Sequence, residues 1–161
     1  REALDYLRDE TISVFKKCGK KYFLNPELAR DNYISVILDR SENNVKAFQE
    51  EFFQPNLEEA QKVQAMELLE IQRQAMLMYT SCGWFFSEIS GIETVQIMKY
   101  AARVMQLAKA FTKKDFEPAF LDILKEAKSN LPEFGTGKDV YERFVKPSSI
   151  SIKQIATNLL F

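Results

Sequence analysis

The chain has 161 residues, with 22 Lys and Arg against 23 Asp and Glu and a net charge of -1. This length supports one domain with a substantial core, and a near-zero net charge excludes a global field that would hold nucleic acid or an anionic membrane. No apolar run reaches the roughly 20 residues that span a bilayer. We therefore expect a single soluble, cytoplasmic domain over residues 1–161, with neither nucleic acid nor membrane as a partner.

Histidine is absent, and the only two cysteines are Cys18 and Cys82. The commonest general base at neutral pH and the commonest zinc ligand are therefore missing. A reduced cysteine pair is favoured over a disulfide. We expect no metal, no cofactor and no complete catalytic site. The start at Arg1 without Met, and a helical pattern that reaches Phe161 without a stop signal, predict a fragment of a longer multidomain protein.

In the first half of the chain, apolar residues at three- and four-residue spacings predict amphipathic helices over 2–23 and 27–39. Ser41 is a candidate N-cap for a third helix, which Pro55 closes. A longer helix is predicted over 59–82, because Asn56 followed by Glu59 resembles a helix start. Its second half is apolar almost all round, which predicts a buried central helix.

Gly83 interrupts this pattern, and a second strongly apolar helix is predicted from Gly91 to Phe111. Ser90 and Glu93 have the spacing of a capping box, in which each side chain bonds the backbone N–H of the other residue. The two apolar helices are expected to pack back to back at the centre of a bundle. The segment Trp-Phe-Phe at 84–86 joins them.

Two shorter helices follow, one capped by Asp115 and running to Ala127, the other capped by Thr136 and running to Phe144. Ser151 opens a last helical pattern. No alternating strand pattern and no internal repeat is present. The predicted fold class is all-α, a bundle of about seven or eight helices.

The segment around Trp84 and Phe85 is the densest unusual feature, because Tyr79, several hydroxyls and Glu88 flank it. Sugar rings stack their C–H faces on aromatic rings and seek fixed polar partners for their hydroxyls, so this mixture favours a sugar-binding wall. Core packing at a helix joint is the alternative interpretation. Glu88 and Glu93 also suggest a glycosidase carboxylate pair, but Glu93 is assigned to capping, which leaves Glu88 alone.

Other features favour structural roles. Lys16, Lys17, Lys20 and Lys21 form a local basic cluster, interpreted as a solvated helix end. The loop before Lys138 lacks P-loop spacing, so a capped turn is favoured over an anion site at the helix start after Thr136. Asp39 and Arg40 are assigned to a charged helix joint. Cys82 has no histidine to activate it and is assigned to the core as a small residue.

Two long segments carry a family resemblance. Residues 77–96, LMYTSCGWFFSEISGIETVQ, continue to YAAR at 100–103, and ILDRS at 37–41 and GKDVYERF at 137–144 fit the same family. The sequence resembles the domain of unknown function that follows the catalytic barrel in bacterial proteins related to glycoside hydrolase family 57, the alpha-amylase and alpha-mannosidase type. The resemblance covers nearly the whole chain.

The resemblance implies that the catalytic Glu and Asp lie on an upstream barrel of the same polypeptide, and that an aromatic stretch with Trp lines the glucan site. Trp84 and Phe85 would then supply a sugar-stacking wall, with Tyr79 beside them and Glu88 as a polar contact to a polysaccharide or oligosaccharide. The sequence departs from the family pattern at Ser87, where an acidic residue is usual. It also departs at 155–158, where Ile-Ala-Thr-Asn stands in place of a histidine-containing pattern. The full-length protein is expected to be a glycosidase or glucanotransferase, and the fragment alone inactive.

Two functions from different classes remain open from the sequence. In the first, the domain closes the substrate cleft of a barrel and touches sugar through Trp84 and Glu88, which requires both on an exposed concave surface. In the second, it is a helical module that docks a partner domain or subunit through a broad apolar patch and never contacts substrate. A small independent enzyme using Glu88, Asp39 or Cys82 is disfavoured, because no base stands beside a nucleophile.

Overall fold

The computed structural model of the chain describes residues 1–148. Within them, the eight α-helices are α1 (Glu2–Tyr22), α2 (Pro26–Asn32), α3 (Ile34–Leu38), α4 (Glu42–Phe52), α5 (Glu59–Leu77), α6 (Ile92–Ala108), α7 (Glu117–Leu124) and α8 (Gly137–Val140). The only β-type pairing in the described part consists of two isolated bridges, Phe23 with Phe53 and Lys128 with Thr136. The predicted all-α fold class is confirmed. The helix expected after Ser151 lies outside the described residues.

Helix α1 is favoured by charged residues at both of its ends and by apolar residues along one face. Glu2 and Asp5 lie in the first turn and Lys20 and Lys21 in the last, which complements the helix dipole. Its buried side chains recur every three or four positions, as an amphipathic helix requires. They are Ala3, Leu4, Leu7, Thr11, Val14, Phe15, Gly19 and Tyr22.

Helices α1, α5 and α6 form the centre of the bundle: α5 packs against α6, and α1 lies against both. Leu7, Leu68 and Val104, one from each helix, are completely buried. The second half of α5 is less enclosed than predicted, because Met76 is 73% exposed and α5 ends at Leu77 instead of reaching Cys82. The prediction of two central helices packed together is otherwise confirmed.

Helices α2 to α4 cover one end of the bundle. Asn25 caps α2 by accepting a hydrogen bond from the backbone N–H of Leu28. The single helix predicted over 27–39 is divided at Tyr33 into α2 and α3. Backbone bonds from Leu24 N to Phe52 O (3.0 Å) and from Gln54 N to Tyr22 O (2.8 Å) join the ends of α1 and α4. The aromatic rings of Phe23 and Phe53, which directly follow α1 and α4, are in contact at this joint.

The capping box predicted from Ser90 and Glu93 is wrong. Gly91 is the N-cap of α6 and no side chain caps it. The backbone N–H of Ser90 instead donates to the carboxylate of Glu88 (2.8 Å). The N–H that the predicted box assigned to Glu93 is therefore bonded to a different residue. A capping box does form at α5, but between Glu58 and Gln61.

The C-terminal helices pack on the central three. Helix α7 lies against α1, α8 lies against α7, and the π-helical segment Tyr141–Val145 lies against α6. Thr136 caps α8 as predicted, with Asp139 completing a reciprocal capping box. At α7 the N-cap is Phe116 rather than Asp115, although the Asp115 carboxylate still accepts from the N–H of Glu117 (3.1 Å). Among residues 1–148, every helix is too short or too polar to cross a membrane.

Candidate functional site

The aromatic loop, Trp84 to Phe86, lies on the surface where α5 turns back toward α6. A single 3-10 turn, Ser81–Trp84, carries the chain out of the bundle after α5. Trp84 is 41% exposed, Phe85 81% and Phe86 57%. Phe85 and Phe86 meet edge to face, with ring centroids 5.1 Å apart. The alternative interpretation of this loop as core packing at a helix joint is therefore wrong.

Trp84 is held from behind by Tyr79. The two rings are nearly parallel, with centroids 6.4 Å apart and an interplanar angle of 11°. The guanidinium of Arg1 lies 5.8 Å from the Trp84 centroid and 5.9 Å from the Tyr79 centroid, within the range of cation–π attraction. These contacts limit the orientations that the indole can adopt.

Tyr79 is itself fixed by polar contacts to α1. Its hydroxyl donates a hydrogen bond to Asp5 Oδ1 (2.6 Å), and Arg8 Nη1 lies 2.9 Å from the same oxygen. Burial, together with the hydrogen bond to Asp5, raises the pKa of Tyr79 to about 12, and the same bond from Tyr79 lowers the pKa of Asp5. Tyr79 therefore stays protonated as a donor and acts as a support for Trp84. Its direct contact with a sugar stays a prediction.

Glu88 joins two loops. Its Oε1 accepts from the hydroxyl of Ser129 (2.6 Å) and from the N–H of Ser90 (2.8 Å), and its Oε2 accepts from the N–H of Asn130 (2.8 Å). The side-chain amide of Asn130 donates to the carbonyl of Ser87 (2.9 Å), which adds a third hydrogen bond between the two loops. We call this set of contacts the Glu88 clasp. It anchors the aromatic loop to the segment after α7.

The Glu88 clasp also sets the charge of that carboxyl group. The hydrogen bond from Ser129, followed by those from Ser90 and Asn130, lowers the pKa of Glu88 to about 2. A carboxyl group that is ionised throughout the neutral range cannot donate a proton as a general acid. The Glu88 carboxylate already accepts three hydrogen bonds within the protein. Contact between Glu88 and a sugar hydroxyl stays a prediction.

The pKa of Glu88 in the folded protein lies below its ordinary value of 4.5, so the clasp contributes its full stability at pH values above 4.5. This contribution is lost as the pH falls from 4.5 to about 2. We expect Glu88→Gln to unfold at a lower temperature than wild type at neutral pH, with the gap narrowing across that acid range. Thermal unfolding followed by circular dichroism at a series of pH values measures it. Ser129→Ala, which removes one of the three donors, should show a smaller gap of the same sign. A gap independent of pH would contradict the role of the clasp.

Other residues considered from the sequence lie elsewhere. Cys82 is exposed, with its Sγ 3.9 Å from Thr80 Oγ1, so its assignment to the core is wrong. Asp39 accepts from the N–H of Ser41 (2.9 Å), which confirms its structural role at a helix joint. Among residues 1–148, no group of three or more Cys, Asp or Glu side chains is arranged to hold a metal ion.

Sequence reasoning missed two exposed apolar residues and two grooves. Ile92, at the start of α6, is 79% exposed beside the aromatic loop, and Leu131 follows the clasp residue Asn130 and is also exposed. Two grooves are also present: one of about 560 Å³ between α2, α3 and α5, and one of about 490 Å³ between α1 and the segment that follows α6. The sequence carries no signal for either groove, because each is formed by residues from distant segments.

The fold and this surface define an all-helical domain that presents an exposed, internally braced aromatic loop. The chain belongs to the family described as domain of unknown function DUF3536, whose model matches residues 1–161. No curated protein and no solved structure matches the chain.

Proposed function

We propose that this domain is the helical companion of a glycoside hydrolase family 57-like glycosidase or glucanotransferase in the bacterial cytoplasm. It packs on a catalytic barrel encoded upstream in the same polypeptide and contributes an aromatic wall, centred on Trp84, to the glucan-binding cleft. The observation that carries the proposal is the exposed Trp84 ring braced by Tyr79. The chemistry is assigned to the barrel, since this chain has no histidine.

The shape of the aromatic loop supports a sugar as ligand. A Trp face whose orientation is already restricted loses little conformational entropy when a pyranose ring stacks on it. Trp84 has this restriction through Tyr79 and Arg1. Exposed hydroxyl groups on Ser81 and Ser87 flank the rings and suit the hydrogen bonds that sugar hydroxyls require.

One observation favours a second function, a docking module that never touches substrate. Phe85 and Ile92 are about four-fifths exposed, at 81% and 79%, and Leu131, which follows the clasp residue Asn130, is exposed as well. Apolar side chains exposed together are typical of surfaces that dock another protein. In this function Phe85 and Ile92 would be covered by the barrel, and Trp84 would lie in the same interface.

Binding of maltoheptaose separates the two functions, because Trp84 is the only Trp in the chain and reports directly on this surface. If Trp84 stacks on sugar, we expect saturable quenching of its fluorescence. Calorimetry should show Trp84→Ala weakening the affinity roughly tenfold or more, since losing the stacking face costs about 1.4 kcal/mol or more. Met76→Ala changes an exposed apolar residue that lines the groove between α2, α3 and α5, so it is the control and should bind like wild type.

Two outcomes would contradict the sugar wall. One is an unchanged Trp84 spectrum at saturating glucan, both in this protein and in the polypeptide that carries the barrel. The other is a Phe85→Ser, Ile92→Ser double variant that separates domain from barrel while glucan affinity of the barrel is unaffected. Either result assigns the surface to docking. Hydrolysis of a glucan by this chain alone would contradict the assignment of the chemistry to the barrel.

A further inference from the structure

A second concave site lies away from the aromatic loop, between the middle of α1 and the segment that connects α6 to α7. This cleft has a volume of about 490 Å³. Ser13 and Lys17 line it on the α1 side, and Thr112, Lys113 and Lys114 line it on the other. The volume is within the range of small-molecule sites, about 300–1,000 Å³.

The charge of the cleft is opposite in sign to that of the whole chain. Lys17, Lys113 and Lys114 line it together with one acid, Glu10, so these four side chains sum to +2, whereas the chain carries -1. Lys114 forms an ion pair with Glu10. Within residues 1–148, no carboxylate lies within ion-pair distance of Lys17 or Lys113. Two uncompensated ammonium groups therefore face one concavity.

Neighbouring groups extend this positive surface and give it a donor. Lys21, one turn beyond Lys17, lies over the Tyr22 ring at 4.9 Å, and Tyr22 meets Phe111 of the cleft edge to face at 6.3 Å. The oxygen of Thr112 accepts the backbone N–H of Lys114 (3.1 Å), which leaves its hydroxyl proton available to a ligand. In the sequence analysis, the cluster on α1 that contains Lys17 and Lys21 was interpreted only as a solvated helix end.

Apolar side chains form the rest of the cleft. Phe111, Phe116 and Val14 line it, and Phe116 and Val14 are buried. A bare inorganic anion would contact only the lysines and leave the partly exposed Phe111 ring and most of the volume unused. A ligand that fits the whole cleft has a doubly charged head and an organic body about the size of a sugar.

We propose that this cleft binds a small phosphate monoester, with the phosphate between Lys17 and Lys113 and the organic body against Phe111. A monoester carries close to two negative charges at neutral pH, which matches the two free ammonium groups. Thr112 donates a hydrogen bond to the phosphate, and Lys114, held by Glu10, lies at its edge. The proposal is independent of the sugar wall at Trp84.

The test uses glucose 6-phosphate as the probe, with glucose and inorganic phosphate as comparison ligands, followed by calorimetry at low ionic strength. We expect glucose 6-phosphate to bind, inorganic phosphate to bind several-fold more weakly and glucose not to bind. Lys17→Gln and Lys113→Gln should each weaken binding roughly three- to fivefold, the range for exposed charge pairs. Glu10→Gln should strengthen binding, because it removes a competing carboxylate and frees Lys114.

The matched control is Lys16→Gln, on the same helix one position before Lys17 but outside the cleft, and it should leave the affinity unchanged. Lys16, Lys17 and Lys113 are exposed, whereas Glu10 is only partly exposed. The Lys variants are therefore expected to fold, and circular dichroism checks this. The proposal is overturned if glucose 6-phosphate does not bind, or if Lys16→Gln weakens it as much as Lys17→Gln does. Binding to vesicles containing phosphatidic acid without binding to glucose 6-phosphate also overturns it, and assigns the lysines to a lipid surface.

Discussion

Replacing Phe23 with Ala is expected to lower the free energy of unfolding by about 3–5 kcal/mol, the usual cost of removing a buried aromatic ring. Phe23 has no exposed surface. Its ring lies 5.4 Å from that of Phe53, 6.3 Å from Phe15 and 6.4 Å from Tyr22. Since single domains are stable by only about 5–15 kcal/mol, this variant loses a large share of the total.

The cost is large because Phe23 holds α1 and α4 together. It lies at the bridge to Phe53, where backbone bonds also join the two chain segments. Urea unfolding followed by circular dichroism measures the effect. The adjacent Leu24 is exposed, so Leu24→Ala is a matched control with an expected change within about 0.5 kcal/mol. A cost below about 1 kcal/mol for Phe23→Ala would show that this end of the bundle repacks easily.

The second large effect is expected at Gly83, which allows the aromatic loop to approach α6. A Cβ at this position would lie 2.1 Å from Cγ1 and 2.7 Å from Cδ1 of Ile97, a buried residue. Gly83→Ala therefore forces the loop or the Ile97 side chain to move, at a cost of about 1–3 kcal/mol. The emission of Trp84, the next residue, should change with it.

A double-mutant cycle tests that physical cause. Ile97→Ala alone costs about 2–5 kcal/mol, but it removes both atoms that the new Cβ would meet. We therefore expect the Gly83→Ala, Ile97→Ala variant to be more stable than the sum of the single changes predicts, by about 1–2 kcal/mol. Gly91→Ala is the control, because its Cβ meets nothing closer than 3.3 Å, and it should be additive with Ile97→Ala. Additivity at Gly83 would contradict the close approach.

The long helices could be predicted because their signal is local. In α1, α5 and α6, apolar side chains recur at helical spacing, and the burial of each helix follows that pattern. The Thr136 cap was predictable for the same reason, since both partners of its capping box lie three residues apart. The Ser90 and Glu93 box had an equally good local signal and failed. There a carboxylate already held by Ser129 and Asn130 also takes the Ser90 N–H.

The candidate site was only partly predictable. Sequence reasoning selected Trp84, Phe85, Glu88 and Tyr79, and the structure brings Tyr79 against Trp84 and sets Glu88 in a clasp beside the same loop. Two of the three hydrogen-bond donors to Glu88, among them Ser129, which lowers its pKa most, lie 41 and 42 positions away, so that part of the low pKa had no local signal. The cleft with Lys17 and Lys113 was missed because these two lysines are separated by most of the chain.

The sequence by itself therefore determined where the long helices lie, which face of each is apolar, and that the chain offers no histidine. Only the tertiary structure decided that the aromatic loop faces outward, that Tyr79 braces Trp84 and that lysines from two segments share a cleft. The physical reason is that helix formation and capping depend on residues within one or two turns. Exposure, electrostatic environment and concavity instead depend on how α1, α5 and α6 pack together.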